Sequence, residues 1–489
     1  MKKLLRRHWP LFVILGLAFL LRLPLLAGSF WLDEAAQALE SARPWHQQLQ
    51  ITDDFQPPLL HLLTYMTIHL SHQEWWLRFW GALLPGLFTI AGTYCLTRHF
   101  STRRAAIAAA ALLATSSFHI FYSQELRPYS LSAVWVVWSW YFLLRASSSR
   151  SRLFWCFLLT TIAGLYSSYL YPFVFGAQLV YLLVCRHYRQ CSYAFSSAII
   201  AFLPWLPAFL DQLQAGQTLR LTFPGWENIV SFTFVRSSLL TVAKFIYGVL
   251  DVEVNFFFVA GTLLIVVLMC MAIFTQFHLL VKQKRIWFQL TIILILPFLA
   301  ASLISLFVPV VQPKRVIFLL PFFYLTIAIL VFGTRQHRHR VSPVAFALPI
   351  LLLIINLFST FCYYTDARLQ RENWRDLLAT LHRDWDVTDT AAVFAYQAPF
   401  SPWVWYEQTV SSPFPTFSTG TYDTSTLVDL NAISLLDDYS HIIVFDYLRE
   451  LTDREDKVLH WLEDHHFVAG KIYTYHNLGQ VRIYEKLSL

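Results

Sequence analysis

Charge is scarce in this sequence. Of its 489 residues only 14% are Asp, Glu, Lys or Arg, while 56% are hydrophobic. Soluble domains carry about 25% charged residues and seldom exceed half apolar, so a soluble globular chain of this length is excluded. No Cys-x-x-Cys pair is present. The six cysteines, Cys95, Cys156, Cys185, Cys191, Cys270 and Cys362, lie in or beside apolar runs, and the polar C-terminal part has none. That argues against a disulfide framework and a zinc site. There is no Gly-rich phosphate loop, internal repeat or low-complexity tract. No polar segment carries a basic stripe with interleaved aromatics. The net charge of +7 therefore does not indicate nucleic acid.

What is present is a series of apolar runs near the ~20 residues that span a bilayer. The first covers 10–29. Others follow at 79–99, 105–122, 129–145, 153–170, 172–186, 193–210, 254–280, 286–308, 316–334 and 342–363, about eleven spans by that length rule. The 18 Trp, 23 Tyr and 42 Phe suit aromatic belts at both interfaces. A cleaved leader is the alternative for the first run, but Arg22 interrupts it and the chain stays apolar afterwards.

Lys and Arg set the orientation. Alternate loops are basic: Arg98/Arg103/Arg104, Arg145/Arg150/Arg152, Arg186/Arg189, Lys282/Lys284/Arg285 and Arg335/Arg338/Arg340. The positive-inside rule puts these loops and the N-terminus in the cytoplasm, and the C-terminus outside the inner membrane. Residues 57–71 are apolar but short and open on Pro57-Pro58. Counting them as a span would place Arg98, Arg103 and Arg104 outside, so they read as a juxtamembrane or re-entrant helix within a first external loop over 30–78. A second long external segment covers 211–253, with an amphipathic stretch at 229–250.

After residue 363 the composition turns polar. Short strand candidates at 391–396, 441–445, 471–475 and 480–485 alternate with helical stretches at 372–384 and 454–464. That pattern predicts a small extracytoplasmic α/β domain over 364–489, following a transmembrane domain over 1–363.

Chemistry concentrates in the external loops. Trp31-Leu32-Asp33-Glu34 follows the first span directly. A carboxylate at an apolar boundary gains proton affinity and suits a general base. The structural alternative is that the pair opens a helix and favours its positive end. Asp54-Phe55-Gln56-Pro57-Pro58-Leu59 comes next, then 73–78 (QEWWLR), then Tyr122-Ser123-Gln124-Glu125-Leu126-Arg127-Pro128-Tyr129, and later Gln312-Pro313-Lys314-Arg315. Cations are sparse on this face, so Arg127, Lys314 and Arg315 stand out there. Snorkelling toward lipid headgroups is one account of each, and is the better reading for Arg22 and Arg78. His61, His69 and His72 are spaced along a helix without an acidic partner that would complete a metal set.

In this order, these motifs resemble the bacterial GT-C membrane glycosyltransferases, among them dolichyl-phosphate-mannose:protein mannosyltransferase-like and aminoarabinose transferase-like proteins. The resemblance is strongest over 1–145. It continues more loosely through 166–172, 204–207 and 314–321, and through 372–377 (ENWRDL) after the last span. It implies a polytopic α-helical GT-C-like fold and an inverting transfer from a polyprenyl-phosphate-sugar donor to a lipid, glycan or protein hydroxyl on the extracytoplasmic face. It places the base at Asp33, with Glu34 beside it and Glu125 at the acidic position of the second loop. Asp54, His61, Arg127, Tyr129, Lys314 and Arg315 become candidates for the donor and its phosphate. Gln56 stands where relatives carry Lys or His. Such enzymes are regarded as metal-independent, although Asp33, Glu34 and Glu125 offer oxygen ligands that suit Mg²⁺ or Mn²⁺. A transporter or flippase would place its ionisable residues near the midplane, commonly with internal symmetry. A polymerase or ligase would use a polyprenyl-pyrophosphate donor.

Overall fold

The computed structural model describes residues 2–51, 54–222, 233–251, 255–306, 308, 310–334, 343–420 and 430–487. The basic run Arg335/Arg338/Arg340 and parts of the 211–253 segment lie outside these. The chain divides into two compact units: Met1–Leu26, Pro44–Gln214 and Glu227–Leu369 in one, and Ala27–Arg43, Ala215–Trp226 and Gln370–Leu489 in the other.

The first unit is helical. Among the described residues, four helices are long and apolar enough to cross a membrane: Glu74–Phe100, Tyr188–Thr218, Lys284–Ser305 and Ala345–Thr365. Shorter apolar helices accompany them, among them Arg152–Leu165, Tyr171–Val184 and Ile317–Phe332. Several expectations differ. The first apolar run, expected over 10–29, is a helix over Lys2–Leu20 followed by turns. The run expected at 105–122 is two helices, Arg103–Thr115 and Ser117–Tyr122, because Ser116 is extended and its side chain caps the second by accepting from the His119 N–H. The run expected to end at 210 continues, through one tight turn at Leu203–Trp205, into the helix Leu206–Thr222. Large apolar side chains point outward on many of these helices, including Phe256, Phe274, Leu299 and Phe361, a surface suited to lipid.

Hydrocarbon offers no water to satisfy polar groups, and several inside this unit pair with the backbone or with one another. Thr89, Thr93 and Thr97 each bond the carbonyl one turn back, at 2.9, 2.8 and 2.7 Å. Tyr324 joins the Phe245 carbonyl to Asn356, which in turn donates to the Leu112 carbonyl. Arg22 and Arg78 do not snorkel. Both are fully buried. Arg22 donates to the Ala18 and Ala114 carbonyls and meets His119 Nδ1 at 2.7 Å, while Arg78 donates to the Leu26 carbonyl.

The second unit is an α/β sandwich. Its strands are β1 (Thr390–Phe394), β2 (Thr416–Ser418), β3 (His441–Phe445), β4 (Phe467–Tyr475) and β5 (Gly479–Lys486), in spatial order β2-β1-β3-β5-β4. β2, β1 and β3 run parallel, and β3, β5 and β4 antiparallel. Alternation along the strands feeds two cores. Ala392, Phe394, Ile443 and Phe445 face one side, and Ala391, Val393, Ile442 and Val444 the other. Trp374, Leu377, Leu378 and Leu381, at helical spacing, seat the helix Trp374–Asp384 on the first face. The helix Lys457–Asp464 covers the second through Val458, Trp461 and Leu462.

Candidate active site

In the helical unit two of the candidate residues, Arg127 and His61, gather around Asp54. Pro57 and Pro58 hold the chain out of a helix until Leu59, where the helix Leu59–Ile68 begins. Asp54 therefore sits on a loop just before a helix, with His61 fully buried in that helix's first turn. Arg127 reaches both carboxylate oxygens of Asp54, Nη1 to Oδ2 at 2.9 Å and Nη2 to Oδ1 at 3.1 Å. The Gln56 amide donates to Asp54 Oδ2 at 2.5 Å and lies 2.9 Å from His61 Nε2. His61 Nε2 is itself 3.6 Å from Asp54 Oδ2. Burial alone would push the Asp54 carboxyl up. The Arg127 guanidinium and the His61 ring outweigh it and bring the group down to about 2.

Gln212 ties the same loop down. Its amide donates to the Ile51, Asp54 and Gln56 carbonyls at 2.7, 3.0 and 3.3 Å. Its oxygen accepts from Tyr169, whose hydroxyl accepts from Trp205 Nε1. Sequence reasoning passed over Gln56, Gln212 and Tyr169. Gln56 stood out only as a departure from the expected Lys or His. Gln212 is remote in sequence and carries no motif, and Tyr169 lies within the loosely resembling stretch 166–172 without standing out there.

Glu125 is buried, and its carbonyl accepts the Arg127 N–H at 2.7 Å, forming the tight turn between them. Tyr129 opens the helix Tyr129–Arg145, and Lys314 Nζ stands 6.0 Å from the centre of its ring. Arg315 is exposed on the turn that follows Gln312, donating its N–H to the Gln312 carbonyl at 3.0 Å.

Asp33 and Glu34 belong to the other unit. Both lie in the first turn of the helix Leu32–Ser41, so the pair does open a helix. Glu34 is fully buried, with Arg371 Nε 3.8 Å away, and Asp33 is half-buried. Beside them, the Glu372 carboxylate accepts from Tyr447 Oη and Trp374 Nε1, each at 2.7 Å. Burial raises Glu372 from 4.5 to about 7; its hydrogen bonds work against the shift, and the charge of Asp33 adds to it. The Tyr447 phenol is pushed well above its ordinary range by burial and by Glu372. Glu372 lies in the 372–377 motif, but its pairing with Tyr447 had no sequence signal. Among the described residues no group of three or more His, Cys, Asp or Glu is placed to hold a metal ion.

No protein-family model and no curated protein matches the chain by sequence. Its fold does match solved structures. The structure of ArnT from Cupriavidus metallidurans bound to undecaprenyl phosphate superposes with a TM-score of 0.58, at 10% identity, over 98% of this chain and 98% of that one. The same protein in its apo state gives 0.57 at 10% identity, over 100% and 99%. The oligosaccharyltransferase AglB from Archaeoglobus fulgidus, in complex with an inhibitory peptide and a dolichol-phosphate, gives 0.50 at 13% identity, over 98% of this chain and 74% of that one. The chain shares its fold with these proteins. The likeness to ArnT spans the whole chain, including the sheet-bearing C-terminal part. At these identities it speaks for architecture alone.

Proposed function

We propose that this chain is an inverting glycosyltransferase of the inner membrane. It moves a sugar from a polyprenyl-phosphate donor to a hydroxyl on a lipid, glycan or protein acceptor. About eleven spans, a cytoplasmic N-terminus and an extracytoplasmic C-terminal domain belong to the same proposal and rest on the distribution of Lys and Arg. The observation that carries the reading is a half-buried Asp33 in the first turn of the helix that follows the first apolar helix, in a chain of GT-C fold.

In this reading Asp33 takes the proton of the acceptor hydroxyl. The acceptor oxygen attacks the anomeric carbon from the face opposite the phosphate. The carbon–oxygen bond to phosphate breaks, and polyprenyl phosphate leaves with the electron pair. A phosphate leaving group needs cations more than a strong general acid. Lys314 beside Tyr129 and Arg315 on the same turn supply them. The bidentate pairing with Asp54 gives Arg127 a different part, which is to hold the Asp54 loop and His61 in place. Glu34 and Glu125 are buried acids, each within its own unit, and neither is assigned the proton exchange.

The test is phosphorus NMR of the lipid released by purified protein from a panel of polyprenyl-linked sugars, with membrane extract as acceptor. Release of the monophosphate from one donor is expected. Release only from pyrophosphate-linked donors, or none from any donor with folded protein, would overturn the reading.

A further inference from the structure

The helical unit holds an apolar cavity of about 590 Å³. Its floor is the helix Arg103–Thr115, where Ala108 and Ala111 set two small side chains one turn apart on one face. Its walls are Phe332, which ends the helix Ile317–Phe332, and Phe346, Ile350 and Leu353 at helical spacing on Ala345–Thr365. Phe332 and Phe346 meet edge to face with ring centres 5.9 Å apart. Ser101, just before the floor helix, donates to the Gly333 carbonyl and bridges to Thr334, which pins the start of that helix beside the end of Ile317–Phe332. Phe346 and Ile350 are exposed, so the cavity opens sideways on the apolar surface of the unit. Among the described lining residues Arg104 is the one charged group. It is exposed in the first turn of the floor helix, a turn that holds no acidic residue, and the positive end of the helix adds to its charge. Among the described residues it has no acidic partner. From Arg104 to Leu112 the lining follows the helix for about 12 Å. The Asp54–Arg127 cluster lies beyond the far end of the helices Arg103–Thr115 and Ser117–Tyr122, on the order of 25 Å of helix axis from Arg104. The cavity is therefore separate from it.

We infer that this cavity is a binding site for an anionic phospholipid of the leaflet that the basic loops face. The lipid's phosphate sits on Arg104, and one acyl chain lies over Ala108 and Ala111 between the two phenylalanines and Ile350. The charge selects the headgroup. A guanidinium fork matches phosphate oxygens, and basic pockets between spanning helices favour anionic lipids. The volume lies within the usual range of ligand-sized sites. The recess selects the chain, because a chain seated in it gains dispersion contacts on several sides at once. A single unpaired cation suits a singly charged phosphodiester. The site does not depend on the glycosyltransferase reading.

The test labels full-length protein in detergent with a phosphatidylglycerol that carries a diazirine on one acyl chain, and reads the labelled peptides by mass spectrometry. Label is expected in 104–112 and in 345–353. Unlabelled phosphatidylglycerol should displace it about 5-fold better than phosphatidylcholine with the same chains, the scale of one basic residue beside an anionic lipid. Arg104→Gln should weaken phosphatidylglycerol by about the same factor and erase the preference. Arg150→Gln, at an exposed arginine of another basic loop, should change neither. Ala111→Phe narrows the recess and should remove the label from both stretches whatever the headgroup. Absence of label from both stretches in wild type would overturn the site. Equal displacement by phosphatidylcholine, or an equal loss in Arg150→Gln, would overturn the role of Arg104 and with it the anionic lipid. Displacement by a polyprenyl phosphate at lower concentration than phosphatidylglycerol would overturn the phospholipid as occupant. If Arg104→Gln misfolds, the comparison of the two lipids on wild type and the loss of label in Ala111→Phe decide.

Discussion

Two buried carboxylates in this protein have opposite proton affinities, and their neighbours explain it. Asp54 meets a guanidinium fork and an imidazole and stays ionised down to about 2. Glu372 meets only neutral donors in a drier place, close to a second acid, and rises to about 7. Removing one partner of a buried ion pair leaves the other charge uncompensated, at a cost of about 3–5 kcal/mol. Arg127→Gln should destabilise the helical unit on that scale, and Arg127→Lys should recover only part because an ammonium cannot form the fork. Unfolding of the purified variants, with the pair variant Asp54→Asn/Arg127→Gln as the cycle partner, checks this. For Glu372 the folded state binds the proton more tightly than the unfolded state. Its contribution to stability is therefore complete below about pH 4.5 and declines as pH rises to about 7, amounting to about 3 kcal/mol over that window. The melting temperature should fall across that window in wild type. The slope should flatten in Glu372→Gln, where nothing titrates at this position.

At the scale of elements, much of the fold was legible. Short apolar runs marked β1, β3 and β5 to within a residue or two, and the 3.6-residue spacing of Trp374, Leu377 and Leu381 fits the helix packed on them. β2 and the helix Ser401–Glu407 were not legible. Three and seven residues give periodicity too little length to register. Arg22 and Arg78 were misread for another reason: nothing local reveals that Ala114, His119 and Leu26 come to meet them. The same limit applied at the candidate site. Asp33, Asp54 and Arg127 stood out by type and order. The Arg127–Asp54 fork, the Gln212 tie and the Tyr447–Glu372 pair join residues distant in sequence, which only the fold brings together. Helix packing offers its own test. The helices Arg152–Leu165 and Tyr171–Val184 approach so closely at Gly164 that an added Cβ would clash with the Tyr171 ring. Gly164→Ala should cost about 1–3 kcal/mol, measured as a lower unfolding midpoint in denaturing detergent.

At the scale of the molecule, the chain combines an apolar helical unit with a sheet unit that takes in residues 27–43 as well as the C-terminal part. The boundary anticipated from composition, near residue 363, separated polar from apolar sequence. It could not reveal that the segment bearing Asp33 and Glu34 folds with the distant polar part. The proposed orientation makes a topology prediction. A periplasm-dependent reporter fused after residue 487 should be active, and one inserted at Ser148 should be silent. The reverse pattern would invert the placement of every proposed site residue. The central claim is that Asp33 is the base of a glycosyl transfer, and it is tested most directly by the single-turnover rate of polyprenyl phosphate release in wild type and Asp33→Asn. The account predicts a loss of about 10²–10⁴-fold with donor binding and fold retained. A rate within a few-fold of wild type would contradict it.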